Sequence, residues 1–242
     1  MKTKTAALGV MCKEPRAGRV KTRLAARLGG EAAAALAGCF LRDVAASIEA
    51  VPETLGWKGY AVYAPAGAEA ALRDLFPSSF EFLLQEDVDF GCVLASATRR
   101  LLEAGHDCAV LINGDSPTLP PQFLEDAVER LRRPGDRVVL GPASDGGYYL
   151  IGLKAPHPVL FHDIPWSTPA VLRVTQERAR ETGLDVDLLP LWYDVDDDET
   201  LALLRDELAG RPPAFAEPGV SAGPAAWTRA CLSQAPATAR DR

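Results

Sequence analysis

Strand-length apolar runs alternate with segments of helical period along most of the chain, and this alternation predicts an α/β domain built on a largely parallel sheet. The runs are TAALGVM, GYAVYAP, FEFLLQ, CAVLIN, RVVLGP, YYLIGL and VDLLPLWYDV. Helical patterns fall between most of them, at residues 31–50, 68–75, 93–103, 121–132, 169–182 and 199–208, the first being rich in Ala and Leu. One junction differs. RVVLGP and YYLIGL are separated only by ASDGG, too short for a helical crossover, so that pair is expected to be antiparallel and the sheet mixed. After Gly210 the composition shifts to Pro, Ala and Gly. Residues 210–242 therefore read as an irregular tail with one short helical turn near AWTRACL, and residues 1–209 as the domain.

Composition narrows the class. A chain of 242 residues, 48% hydrophobic and 24% charged, suits one globular domain with a sizeable core. No apolar run approaches the roughly 20 residues that span a bilayer, and the start lacks a secretory apolar core, so no membrane partner is expected and the location reads as cytoplasmic. The five cysteines are scattered, without a C-x-x-C pair, which suggests free thiols, mostly buried, rather than a disulfide framework or a zinc site. A formal net charge of −7 argues against a nucleic-acid partner, which needs a basic face to displace counterions from phosphates.

Charge along the chain changes that picture locally. The first thirty residues collect Lys2, Lys4, Lys13, Arg16, Arg19, Lys21, Arg23 and Arg27 against Glu14. A transit peptide is excluded by pattern, because TAALGVM reads as a buried strand and Pro15 and Gly18 interrupt any amphipathic helix. Gly18 permits a tight turn, and Lys21 with Arg23 can neutralise a phosphate ahead of a helix beginning near Thr22. The alternative is a solvated basic helix start, although cations there oppose the helix dipole unless an anion compensates. The loop is not a Walker A motif, because Val20 precedes Lys21.

Ligands of open α/β sheets collect beyond the carboxyl ends of the strands, which singles out three further stretches. In LINGDSPTLP, Asp115 directly follows an apolar strand and is placed either to hold Mg²⁺ against a diphosphate or simply to form a turn. In YDVDDDETLALL, Asp194 and Asp196 are two apart, on one side of a strand end, where both can reach one metal ion. Asp196-x-x-Glu199 also reads as a helix cap, and an EF-hand is excluded because its glycine position falls on Glu199. In GPASDGGYYL, Asp-Gly signals a hairpin, while Gly146 and Gly147 would admit a ligand close to the backbone beside Asp145. Further on, Ser167 or Thr168 reads as a helix N-cap before Pro169, and Trp166 as either a substrate wall or core. The three histidines lack metal-ligand spacing.

Taken in order, KEPRAGRVKTRLAARLG, GDSPTLP, GPASDGGYYLIGL, PWSTPAVLRVTQERA and YDVDDDETLALL resemble the CofC-like glycosyltransferase family, also described as nucleotide-diphospho-sugar transferases, over residues 6–208. The resemblance implies a glycosyltransferase-A type, Rossmann-like fold with a mixed, mostly parallel sheet flanked by helices. It implies nucleotide binding by Lys13, Gly18, Arg19, Lys21 and Arg23, a cation (Mg²⁺ or Mn²⁺) at Asp115, Asp194 and Asp196, and an acceptor near Asp145, Gly146 and Gly147, with Trp166 the candidate acceptor wall from its place in the chain. Lys21, Asp115 and Asp145 are the implied catalytic residues. One departure is QEDVDFGCVLASA, where the family tends to show a glycine-aspartate-leucine-glycine run followed by arginine and this chain has Phe90, Cys92 and Val93. The function expected is a metal-dependent transferase that takes a nucleoside triphosphate or nucleotide sugar and passes a nucleotidyl or glycosyl group to a small acceptor. The alternative is a catalytically silent nucleotide-binding module.

Overall fold

The computed structural model describes residues 4–86 and 88–234. Lys2 of the basic stretch and residues 235–242 of the tail lie outside the described residues. Seven strands form one sheet in the order β3-β2-β1-β4-β6-β5-β7. They are β1 (Ala6–Lys13), β2 (Trp57–Ala64), β3 (Glu81–Leu84), β4 (Cys108–Asn113), β5 (Arg137–Pro142), β6 (Tyr148–Leu153) and β7 (Asp185–Leu188). Only β6 runs against its neighbours, pairing antiparallel with both β4 and β5. The short ASDGG junction thus forms the expected hairpin, and the remaining strands are parallel.

Period-two alternation along β1 sorts its side chains between two cores: Ala6, Leu8, Val10 and Cys12 enter one, Ala7 the other. The first core lies under α2 (Gly30–Glu49), α5 (Pro121–Leu131) and α7 (Asp198–Leu208). The second lies under α4 (Phe90–Glu103) and α6 (Val171–Glu181). Helix α2 forms because apolar positions 33, 36, 37, 40, 41, 44 and 48 recur at three and four residues and make one continuous buried face. A shorter helix, α1 (Thr22–Leu28), joins the basic loop to α2, and α3 (Glu69–Arg73) follows β2. No helix among the described residues is long and apolar enough to cross a membrane.

Three local expectations change. The run VDLLPLWYDV is not one strand. β7 stops at Leu188, two residues before Pro190, which has no N–H to give a ladder, and pairing resumes as a single bridge between Ala143 and Trp192. The short helical turn expected near AWTRACL is longer, a nine-residue helix α8 (Ala226–Gln234) laid along α2 and capped by Asp43, whose carboxylate accepts from the Trp227 and Thr228 amides at 3.0 and 2.8 Å. Neither Ser167 nor Thr168 is the N-cap of α6. The helix starts at Val171 behind Ala170, while Thr168 Oγ1 donates to the Pro165 carbonyl at 2.7 Å within the preceding turn. All five cysteines are free thiols: Cys12 and Cys108 are buried, Cys39 and Cys231 partly so, and Cys92 is exposed.

Candidate functional site

The strand order places a crevice between β1 and β4. From β1 the chain moves outward to β2 and β3, then returns through α4 to lay β4 on the other side of β1. Connections leave in opposite directions at that point, and the carboxyl ends of the two strands face open space. Lys13 ends β1, while Asn113, Gly114 and Asp115 end β4 and begin its loop. Gly114 makes this exit possible, since a Cβ there would lie 2.7 Å from Leu41 Cδ2 and 3.0 Å from the Met11 carbonyl.

Backbone pairing draws the second acidic segment to the same place. The Val195 amide donates to the Asp115 carbonyl at 2.9 Å, and the fully buried Ser116 hydroxyl donates to the Tyr193 carbonyl at 2.8 Å. On the other side, the Ser144 amide donates to the Trp192 carbonyl at 2.9 Å. Residues 192–195 therefore run between the β4 loop and the β5–β6 hairpin, so that Asp194 meets Asp115, Asp145 and Asp196 together. The cap of α7 is Asp197 rather than Asp196: its carboxylate accepts from the Thr200 amide at 3.0 Å, and Thr200 Oγ1 accepts from the Asp197 amide at 3.1 Å. Capping one residue later leaves the Asp196 carboxylate available to the crevice.

Lys21 fills the centre of this cluster. Its ammonium lies 2.6 Å from Asp115 Oδ1 and 2.7 Å from Asp196 Oδ1, with the side chain only 5% exposed and 5.6 Å above the Phe40 ring. Burial alone would lower its pKa, but the two carboxylates outweigh that and raise it, so Lys21 stays charged. Burial, followed by the charges of Asp145, Asp196 and Asp115, pushes the Asp194 carboxyl up to about 7. The Lys21 backbone sits at φ 47°, ψ 44°, a left-handed conformation costly for a side-chain-bearing residue and characteristic of positions held by function. Asp115, Asp194 and Asp196 are brought together, yet Lys21 stands between two of them, and no three acidic, histidine or cysteine side chains among the described residues form a ready metal-ligand set.

Three cavities meet here. One, of about 350 Å³, is lined by Lys13, Arg19, Lys21, Asp115 and Asp196. A second, of about 450 Å³, is lined by Lys21, Arg23, Asp145, Thr168 and Asp196. The third, of about 170 Å³, takes in Asp145, Gly147, Tyr148 and Trp166. Arg19 and Arg23 are exposed and form no ion pair among the described residues. Gly18 adopts φ +74° at the turn of the basic loop, with open space where a side chain would stand. Gly146 has a packing reason instead: a Cβ there would collide with the Pro169 backbone, and its carbonyl accepts from the Leu172 amide at 2.9 Å. Trp166 both borders the smallest cavity and packs against the second core, its ring edge-on to Phe90 at 5.0 Å and to Tyr148 at 6.4 Å.

Residues that sequence reasoning passed over also line the crevice. Phe90, noted only as a departure, borders both the basic and the smallest cavity, as does Asn113. Gln85 lines the basic cavity, its amide donating to the Val62 carbonyl at 2.8 Å. Asn113 was findable by its place at the end of an apolar strand; Gln85 carried no local signal.

No curated protein matches the sequence significantly. Among solved structures, one similar chain is a protein assigned as a nucleotide-diphospho-sugar transferase from Desulfovibrio desulfuricans G20, 28% identical over 94% of each chain, with a TM-score of 0.77. The same fold recurs in CMP:2-keto-3-deoxy-manno-octonic acid synthetase complexed with CTP, 12% identical over 86% of this chain and 99% of that one, TM-score 0.56. It recurs again in glucosyl-3-phosphoglycerate synthase from Mycobacterium tuberculosis, complexed with Mn²⁺, UDP and glucosyl-3-phosphoglycerate, 12% identical over 88% and 82% of the chains, TM-score 0.50. The architecture is thus that of nucleotide-diphospho-sugar transferases and cytidylyltransferases, as the ordered motifs imply. With residues 47–168, half of its length, matched to the family described as "Uncharacterized protein conserved in bacteria (DUF2064)", the chain belongs to that family.

Proposed function

We propose that the chain is a nucleotide-dependent transferase, binding a nucleoside triphosphate or nucleotide sugar in the basic part of the crevice and transferring a nucleotidyl or glycosyl group to a small acceptor beside Asp145. The observation that carries the reading is the Lys21 ammonium held between Asp115 and Asp196 at the β1–β4 crevice, with Arg19, Arg23 and Lys13 around it. CTP in one protein of the fold and UDP with Mn²⁺ in another support it.

Each residue has work to do in that reaction. Lys13, Arg19 and Arg23 neutralise the phosphates, and Lys21 is positioned to meet charge growing on the leaving phosphate oxygen. Donor chemistry fits a hard divalent cation: Asp115, Asp194 and Asp196 offer only carboxylate oxygens, and with Asp145 they outnumber the single ammonium among them. These three would hold Mg²⁺ or Mn²⁺, which supplies charge neutralisation at the phosphate oxygens when bound. With a hydroxyl acceptor, the acceptor oxygen forms the new bond to the transferred carbon or phosphorus, the bond to the leaving phosphate oxygen breaks with its electron pair, and the proton passes to the Asp145 carboxylate.

The test is thermal stability against a panel of nucleoside triphosphates and nucleotide sugars, with Mg²⁺ or Mn²⁺ and with chelator. A ligand at 100 times its Kd stabilises by about 2.7 kcal/mol, a shift of several degrees in a domain of this size. Asp115→Asn should abolish the cation-dependent part. Turnover that releases pyrophosphate identifies nucleotidyl transfer, and release of a nucleoside diphosphate identifies glycosyl transfer. No shift with any nucleotide overturns the reading.

A further inference from the structure

The crevice is divided by charge. Every lysine and arginine that reaches it lines the two basic cavities: Lys13, Arg19 and Lys21 in one, Lys21 and Arg23 in the other. Among the described residues the third cavity has none. Its wall is Phe90, Leu94, Leu111, Tyr148, Ile151 and Trp166, and its polar groups gather at Asn113, Asp145, Ser167 and Thr168. Among the described residues Asp145 is its one carboxylate, and all four polar groups also border a basic cavity, Asn113 that of Lys13, Arg19 and Lys21, the other three that of Lys21 and Arg23. Trp166 also borders a larger groove of about 720 Å³, lined by Asp89, Asp163, Val159, Phe161 and His162, with no lysine or arginine among the described residues. His162 faces Asp163 at 3.1 Å.

Building on the transferase reading above, we propose that the acceptor is an uncharged alcohol with a compact apolar or ring-shaped body, not a phosphate ester. A phosphate dianion seated among the apolar walls would leave water beside a carboxylate and away from the described lysines and arginines, which line only the neighbouring cavities, a cost without full compensation. A neutral hydroxyl loses little, and Asn113, Ser167 and Thr168 can replace its water hydrogen bonds. Size agrees: the cavity holds about 170 Å³, and an engineered apolar cavity of about 150 Å³ admits benzene. The aromatic walls give a flat ring faces to lie against. The same segregation assigns directions, with the anionic donor on the basic side and the neutral acceptor on the aromatic side of Asp145.

The test is direct binding to the full chain, by tryptophan fluorescence and ligand-observed NMR, of a matched set: cyclohexylmethanol, cyclohexylmethyl phosphate and cyclohexylmethylamine. The alcohol is expected to bind, the phosphate ester at least about tenfold more weakly because its charge meets Asp145 among walls to which no described lysine or arginine contributes. Asp145→Asn should raise the affinity of the phosphate ester relative to that of the alcohol several-fold. Phe90→Ala, a change at a half-exposed side chain that keeps the fold, should weaken the alcohol about fivefold. Trp166→Ala should do the same. Equal or tighter binding of the phosphate ester or the amine, or no binding of the alcohol, overturns the proposal. Nucleotide-induced stabilisation measured on the same preparation separates the two readings. Nucleotide binding with phosphate-ester preference removes only the acceptor class, whereas alcohol binding without any nucleotide effect removes only the transferase.

Discussion

Lys21 concentrates the electrostatics of the site in one side chain. It is strained in its backbone, nearly buried, and paired with two carboxylates that would otherwise repel each other and Asp194. Lys21→Met is therefore expected to lower stability by roughly 2 kcal/mol, since it leaves carboxylates without their counter-charge. It should also make the protein responsive to Mg²⁺ alone, with a melting-temperature rise in the variant that exceeds the wild-type rise; equal responses would show that Lys21 does not stand in the cation's place. Asp194 gives the pH signature. Burial pushes its carboxyl from the ordinary 3.8 up to about 7, so the folded state binds the extra proton. Stability is thus lost as pH rises through that window, and the full cost is present above pH 7. In chelator, Asp194→Asn should raise the melting temperature at pH 8 by about 3 °C, on the order of 1 kcal/mol, and the gain should vanish below about pH 4.

At the scale of elements, the site depends on where two segments begin and end. Helix α7 starts at Asp198 behind its cap Asp197, and the hydroxyl of Thr200 accepts from both the Asp196 and Asp197 amides, at 3.0 and 3.1 Å. That arrangement sets the direction in which Asp196 leaves the chain. Asp197→Ala should cost about 1 kcal/mol from the lost cap and weaken nucleotide-induced stabilisation as well, because Asp196 loses its fixed start. A cap lost without any effect on nucleotide binding would separate α7 from the site. The hairpin between β5 and β6 works the same way: the carbonyl of Gly146 ties it to the amide of Leu172 at the start of α6, which keeps Asp145 beside Thr168 and the crevice. Substituting alanine at Gly146 would force that tie apart rather than crowd a ligand.

Across the whole molecule, residues after the sheet close the fold from behind the site. Phe215 packs its ring against Trp192 and Tyr193, and α8 lies on α2, whose buried face supports the sheet beneath Lys21 and Phe40. A chain ending at Gly210 should melt roughly 10 °C lower, from several kcal/mol of lost burial at about 2–4 °C per kcal/mol; an unchanged melting temperature would make this segment an appendage. Much was legible beforehand. All seven strands, the mixed sheet and most helices follow from apolar periodicity, because alternation at two or near 3.6 residues is a local property that burial enforces wherever the chain goes. Candidate chemistry at Asp115, Asp194 and Lys21 was legible too, from position after a strand and from local charge. Pairing was not. Which carboxylate Lys21 meets, that Asp197 rather than Asp196 caps α7, and that Phe90 and Trp166 form a cavity beside that of the cations all depend on groups far apart in sequence. For these the Val195–Asp115 hydrogen bond and the β1–β4 juxtaposition decide, and such contacts leave no periodic trace in the chain.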